Sequence, residues 1–217
     1  MNSSEINNPP RLTLAISKGR IFKEAVDLLD KSAVKILDYS EKSRKLSLKT
    51  NDDGLQVLVV RAADVPTYVE YGAADLGITG KDVLMEYNGK NYYELVDLGI
   101  SKCNMMVASK VGFDVKGATA KVATKYPTIA MDYFARNGVQ AEIIKLSGSM
   151  ELAPSFGLAD QIVDLVDTGV TLRENGLEAT HLICEISSYL IVNKSSMRIY
   201  RQRIKDFVKA VEGSIKD

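Results

Sequence analysis

The chain has 217 residues, 46% of them hydrophobic, which suffices for one large domain or two small ones with cores of their own. Lys and Arg total 28, as do Asp and Glu, so the formal net charge is zero and no global nucleic-acid or membrane-surface partner is implied. One histidine and two cysteines exclude a zinc site with several His ligands and a disulfide framework. The polar start MNSSEINNPPR lacks the apolar core of an export signal, and no apolar run nears the roughly 18–20 residues of a membrane span. With Cys103 and Cys184 expected to be reduced, a cytoplasmic location is expected.

Strands alternate with helices along the chain. LTLAIS (12–17) is strand-like and leads into a helix over 18–34, with Ile21, Ala25, Leu28 and Leu29 at helical spacing. KLSLKT and LQVLVVR flank NDDG, a hairpin signal because Asp-Gly suits a turn with positive φ. DVPTYVEYGA and KDVLMEY read as helices around the short buried strand DLGITG. YELVDLGI and CNMMVASK follow as strands. A second cycle runs from the strand KVATK through a helix over 126–138, stopped by Asn-Gly, to AEIIKLS, DQIVDLV and a short helix TLRENGL. THLICEISSYLIVN reads as one long β-rich return. MRIYRQRIKDFVKAVEG reads as an amphipathic closing helix with Ile199, Ile204, Phe207, Val208 and Val211 as its stripe. This order is α/β, with two lobes and the second inserted in the first. The expected division is 1–106 with 187–217 for lobe one and 107–186 for lobe two, with a cleft between them.

Three turns suit anions or sugars. In VDLVDTGVTLRE a strand ends near Val166, Asp167-Thr168-Gly169 turns, and Thr171-x-x-Glu174 has capping-box spacing. Free N–H groups at a helix start, a permissive Gly169, and the Thr168 and Thr171 hydroxyls suit a phosphate monoester. Asp164 and Asp167 repel phosphate and instead suit sugar hydroxyls. An ordinary strand–turn–helix corner is the competing reading. In SKGRIF, Lys18 and Arg20 flank Gly19 at a strand C-terminal end, where α/β proteins place ligands, and two cations suit a polyphosphate. A solvated helix start is the alternative there. SRKL (with Arg44) and Arg61 add cations near strand ends, each of which an exposed charge also explains. In SGSMELAP, Glu151 is either a second sugar-hydroxyl acceptor or a cap. His181 is expected simply to precede a strand, so the chemistry is expected to run without a histidine base.

Together these segments resemble the short form of ATP phosphoribosyltransferase, the first enzyme of histidine biosynthesis. The pattern Glu151-x5-Gly157-x-Ala159-x2-Ile162-x-Asp164-Leu165-x2-Thr168-Gly169-x-Thr171-Leu172 resembles the family signature over 22 residues. SKGR, SRKL, RAADVPTYVEYGAADLGITGKDVL and YELVDLGISKC match in order, over about residues 12–200. Ser17 departs from the family, where many members carry Pro before Lys-Gly-Arg.

The resemblance implies a two-lobed fold similar to periplasmic binding proteins. It also implies attack of adenine N1 of ATP on phosphoribosyl pyrophosphate, giving phosphoribosyl-ATP and pyrophosphate. Arg20 and Arg44 would act on the phosphates, as catalytic residues. Lys18, Gly19, Glu151, Asp164, Asp167, Thr168, Gly169, Val170 and Thr171 would bind substrate. Mg2+ would be carried by the substrate phosphates, without a protein metal site. No histidine sensor domain is expected in this chain. The implied partners are a second copy in a homodimer and a regulatory subunit resembling histidyl-tRNA synthetase, in a hetero-octamer. Two alternatives stand beside this: a two-lobed binding or sensor protein for a phosphorylated small molecule, and another phosphoribosyltransferase. The latter usually carries adjacent acidic residues, whereas Asp164 and Asp167 are separated.

Overall fold

Continuous apolar runs mark the strands that are buried on both faces. The computed structural model describes residues 11–40, 44–113 and 119–215, so the polar start over 1–10 and Ser43 of SRKL lie outside the described residues. The chain divides into two compact units, Met1–Ser101 with Ser187–Asp217, and Lys102–Ile186. The first crossing falls at Ser101–Lys102, five residues before the expected 106/107 division. The reason is that Cys103–Lys110 is one unbroken strand, paired from end to end within the second unit's sheet.

The first unit opens with β1 (Leu12–Ser17), α1 (Arg20–Lys31), β2 (Ser47–Lys49), β3 (Leu55–Val60), α2 (Val65–Glu70), β4 (Leu76–Gly80), α3 (Lys81–Glu86) and β5 (Tyr92–Asp97). The second unit holds β6 (Cys103–Lys110), β7 (Thr119–Thr124), α4 (Pro127–Arg136), β8 (Gln140–Lys145), α5 (Leu152–Ser155), β9 (Gln161–Val166), α6 (Val170–Glu174) and β10 (Leu177–Ile186). The chain then returns to the first unit with β11 (Ser188–Asn193), α7 (Lys194–Ile199) and α8 (Arg201–Ile215).

The first sheet has the order β2-β3-β1-β4-β11-β5. β1 is parallel to β3 and β4, while β11 and β2 run antiparallel to their neighbours. All six residues of β1 are buried. Leu12, Leu14 and Ile16 face a core shared with Leu28 and Leu29 of α1 and Ile204 and Val211 of α8. Ala15 faces the other side, with Val65 and Val69 of α2. Burial on both faces is why this strand reads as an apolar run and not as an alternation. Leu14→Ala would open a cavity there at a cost of ~2–5 kcal/mol. The NDDG hairpin forms as expected, with Asp52 Oδ1 accepting from Gly54 N at 2.8 Å.

The second sheet has the order β10-β6-β9-β7-β8, with β6 antiparallel to both neighbours and β7 parallel to β8 and β9. Met105, Val107, Val122 and Val163 pack under Ile129 and Phe134 of α4. Ala108, Ala123 and Ile162 face the opposite side with Leu172 and Leu177. α4 stops at Asn137, as the Asn-Gly pair predicts.

Two expected elements are divided. The return over 180–193 breaks at Ser187 into β10 and β11, which belong to different sheets. The closing helix is two helices: Asn193 Oδ1 caps α7 through Ser195 N and Ser196 N, and the helix breaks at Tyr200. Ile204 and Val211 are buried, but Ile199, expected in the same stripe, precedes the break and is 69% exposed, so it does not belong to it. No helix among the described residues is long and apolar enough to cross a membrane.

Candidate active site

In the first unit, β1 delivers its last residue to the carboxyl edge of the parallel strands, where α/β folds bind ligands. Lys18 N donates to Val60 O at 2.8 Å, which ties the turn after β1 to the end of β3. Gly19 has φ 101 and ψ −138, a conformation that a side chain makes costly, and α1 starts at the next residue. Beside this turn lies a cavity of about 500 Å³ lined by Lys18, Lys23, Arg44 and Lys45, with Phe22 and Tyr39 as aromatic walls. The two rings meet edge-on, with centroids 4.8 Å apart. Asp38 accepts from Lys49 N at 2.9 Å and from Lys45 Nζ at 3.2 Å. The Lys49 N–H first, and Lys45 after it, hold the Asp38 carboxyl below the usual range. Four cations line one open cavity, Lys45 among them paired with Asp38, and such a lining suits an anion.

Lys18, Gly19 and Arg44 are thus brought together, whereas Arg20 is not among the residues lining this cavity. Its Nη2 donates to Ser101 O at 2.9 Å, and its Nε lies 3.7 Å from Glu24 Oε1. Phe22, Lys23, Tyr39 and Lys45 were not foreseen. Two of them had a readable signal, Lys45 as the neighbour of Arg44 in SRKL and Lys23 as a cation one turn beyond Gly19.

In the second unit, a smaller cavity of about 180 Å³ gathers Glu151, Asp164 and the turn 167–171. Every residue expected here, from Glu151 through Asp164, Asp167, Thr168, Gly169 and Val170 to Thr171, lines it. The cavity sits where β9 ends and α6 begins. Gly169 is the N-cap of α6, in the left-handed conformation with φ 72 and ψ 9, and no side chain caps the helix. The expected capping box does not form: the N-cap is Gly169, two residues before Thr171, so Thr171 lies inside the helix and its backbone cannot take the cap conformation. The outcome leaves the start of α6, which borders the cavity, without a side chain capping its first N–H groups. Arg173 Nη1 donates to Thr168 O at 3.2 Å and braces the turn. Asp164 Oδ1 accepts from Leu165 N at 2.8 Å.

His181 lies within β10 and not before it, with Nδ1 3.1 Å from Thr180 Oγ1. Cys103 and Cys184 form no disulfide. Among the described residues, no group of three or more His, Cys, Asp or Glu is placed to hold a metal ion.

Residues 61–213 match the family described as HisG: ATP phosphoribosyltransferase. An ATP phosphoribosyltransferase from Ectopseudomonas mendocina is 52% identical over 204 residues, which cover 94% of this chain and 97% of the relative. The solved ATP phosphoribosyl transferase (HisG:HisZ) complex from Thermotoga maritima superposes with a TM-score of 0.81 at 34% identity, covering 94% of this chain and 98% of that one. The periplasmic aliphatic sulphonate binding protein SsuA from Escherichia coli superposes with a TM-score of 0.63, covering 96% of this chain and 73% of that one. At 13% identity it shares the fold alone, and bears out the expected likeness to periplasmic binding proteins. Matched across most of its length in sequence and in fold, the chain belongs to the ATP phosphoribosyltransferase family.

Proposed function

We propose that the chain transfers the 5-phosphoribosyl group of phosphoribosyl pyrophosphate to adenine N1 of ATP, giving phosphoribosyl-ATP and pyrophosphate, the first step of histidine biosynthesis. The observation that carries this reading is the family match over residues 61–213. A binding or sensor protein shares the fold with SsuA, but at 13% identity that likeness carries no activity.

The chemistry suits the residues. The N1 lone pair becomes the new bond to ribose C1, and the electrons of the C1–O bond leave with pyrophosphate. Adenine N1 carries a lone pair at neutral pH, so no protein base is required. Positioning can supply ~7–11 kcal/mol of the barrier. In this reading the turn Asp167–Thr171 holds the sugar 5-phosphate through the α6 N–H groups and the Thr168 and Thr171 hydroxyls. Gly169 and Val170 contribute backbone at closest approach. Glu151, Asp164 and Asp167 accept from ribose hydroxyls and favour positive charge developing at C1. Lys18, Arg44 and the cations beside them meet the anionic phosphates over the Gly19 turn, and Arg20 acts on the same phosphates. Preorganised donors of this kind are worth ~3–4 kcal/mol each on a leaving group.

Magnesium, in this reading, arrives on the substrate phosphates. The carboxylates described here form no three-ligand cluster, and Mg2+ in such sites usually takes phosphate oxygens with few protein ligands. It would neutralise the phosphates and help the leaving group go.

The assembly is proposed on the same basis. The Thermotoga relative was solved as a HisG:HisZ complex. We place this chain as the catalytic subunit, in homodimers joined to a regulatory subunit resembling histidyl-tRNA synthetase in a hetero-octamer, in the cytoplasm. The test is pyrophosphate release in the presence of ATP, phosphoribosyl pyrophosphate and magnesium, with each omitted in turn. Release that needs all three supports the reading; release without ATP, or none at all, contradicts it.

A further inference from the structure

Arg20 and Arg44 share one proposed task, yet Arg20 is held by groups far from it in the chain. Its Nη2 donates to Ser101 O at 2.9 Å. Glu24, one turn along α1, closes the arrangement. Its Oε2 accepts from Ser101 N at 2.6 Å, and its Oε1 lies 3.7 Å from Arg20 Nε. Both backbone polar groups of Ser101 are therefore bound by this one pair of side chains. Ser101 is the last residue of the first unit's opening segment and has φ 51, a left-handed conformation that non-glycine residues seldom adopt. Its Oγ is buried without a hydrogen-bond partner among the described residues. A strained residue persists where its surroundings over-determine it, and here Arg20 and Glu24 do so. The same contacts work in the other direction. A guanidinium is planar with its donors in a fixed fork, so anchoring one edge on a carbonyl and a carboxylate sets where the other edge points.

We infer that Glu24 is the positioning residue of Arg20: with the Ser101 backbone, it sets the guanidinium orientation that meets the substrate phosphate. This rests on the proposed transferase reaction. Glu24 itself touches no reacting atom. Its carboxylate repels phosphate, so its use must run through Arg20 and Ser101. Displacing a phosphate-binding donor by about 1 Å can cost on the order of 10²-fold in rate, so a modest release of Arg20 is readable in kcat.

The experiment is a double-mutant cycle on the full chain, with pyrophosphate release as the readout and folding followed by circular dichroism. Glu24→Ala lowers kcat roughly 10-fold while both KM values stay within about two-fold. Arg20→Ala lowers it about 10²-fold. The double variant is no slower than Arg20→Ala, because Glu24 has nothing left to position. Glu24→Gln keeps an acceptor for Ser101 N but loses the charge on Arg20, and it enters the same cycle if Glu24→Ala does not fold. Losses that multiply in the double variant overturn the inference, as does unchanged kcat in both Glu24 variants or in Arg20→Ala. No turnover by the wild-type chain removes the proposed reaction and this inference with it. Turnover with multiplying losses removes the inference alone.

Discussion

Gly169→Ala probes the proposed phosphate turn with the smallest side chain that tests it. Gly169 sits at φ 72, where an L-residue pays roughly 1–2 kcal/mol for its Cβ against the following carbonyl. The added Cβ would lie 3.2 Å from Arg173 Nη1 and 3.8 Å from Val166 Cγ1. The first is the tip of a flexible side chain and gives way; the second is ordinary contact. The cost is therefore almost all backbone strain, and the turn relieves it by leaving the left-handed region. Doing so swings the first N–H groups of α6 off the cavity. If those groups hold the 5-phosphate, the same 1–2 kcal/mol appears as a rise in KM for phosphoribosyl pyrophosphate of about 5–30-fold. Steady-state pyrophosphate release, with one substrate varied at saturation of the other, separates this from an effect on ATP. A KM for phosphoribosyl pyrophosphate within two-fold of wild type, in a variant whose melting shows the strain, would refute the assignment of the turn.

Arg44→Ala lowers kcat/KM by about 10²-fold, about 2.7 kcal/mol, and wild-type kinetics in that variant would make Arg44 a surface charge. Cys103→Ser with Cys184→Ser retains turnover, since no proposed step uses a thiolate; loss of all activity in the folded double variant contradicts this. Glu70 accepts from Tyr87 Oη and from Lys90 N and Asn91 N, and the Tyr87 hydroxyl is the largest cause holding its carboxyl below 4.5. A depressed carboxylate pKa gives stability that is complete above 4.5 and is lost as pH falls through the folded value. Tyr87→Phe therefore moves the Glu70 titration upward, toward 4.5, and reduces the stability that acid removes; an unmoved carboxyl resonance in a pH titration by NMR would show that the hydroxyl is not the cause.

Local signals were legible where local physics decides. The Asp-Gly hairpin, the Asn-Gly stop of α4 and the doubly buried β1 each depend on a few neighbouring residues, and each stands where the sequence puts it. The second-unit cavity was legible because its turn and Glu151 lie within 21 residues and follow one βα corner. The break at Ser187 was not, because β10 and β11 are both apolar and differ only in the sheet they join. The capping box failed because a left-handed glycine two residues earlier takes the cap. The Arg20–Ser101 bond spans 81 residues, and Tyr39 reaches Phe22 across the loop after α1, so neither leaves a pattern in sequence.

The central claim is the bond that forms, and isotope labels read it directly. ATP labelled with 15N at adenine N1 and phosphoribosyl pyrophosphate labelled with 13C at ribose C1 are turned over by the full chain and the product is examined by NMR. A one-bond 13C–15N coupling at N1, appearing in step with pyrophosphate, is the predicted result. Pyrophosphate release with free labelled ribose phosphate, or ribosylation at any other nitrogen, would contradict the account.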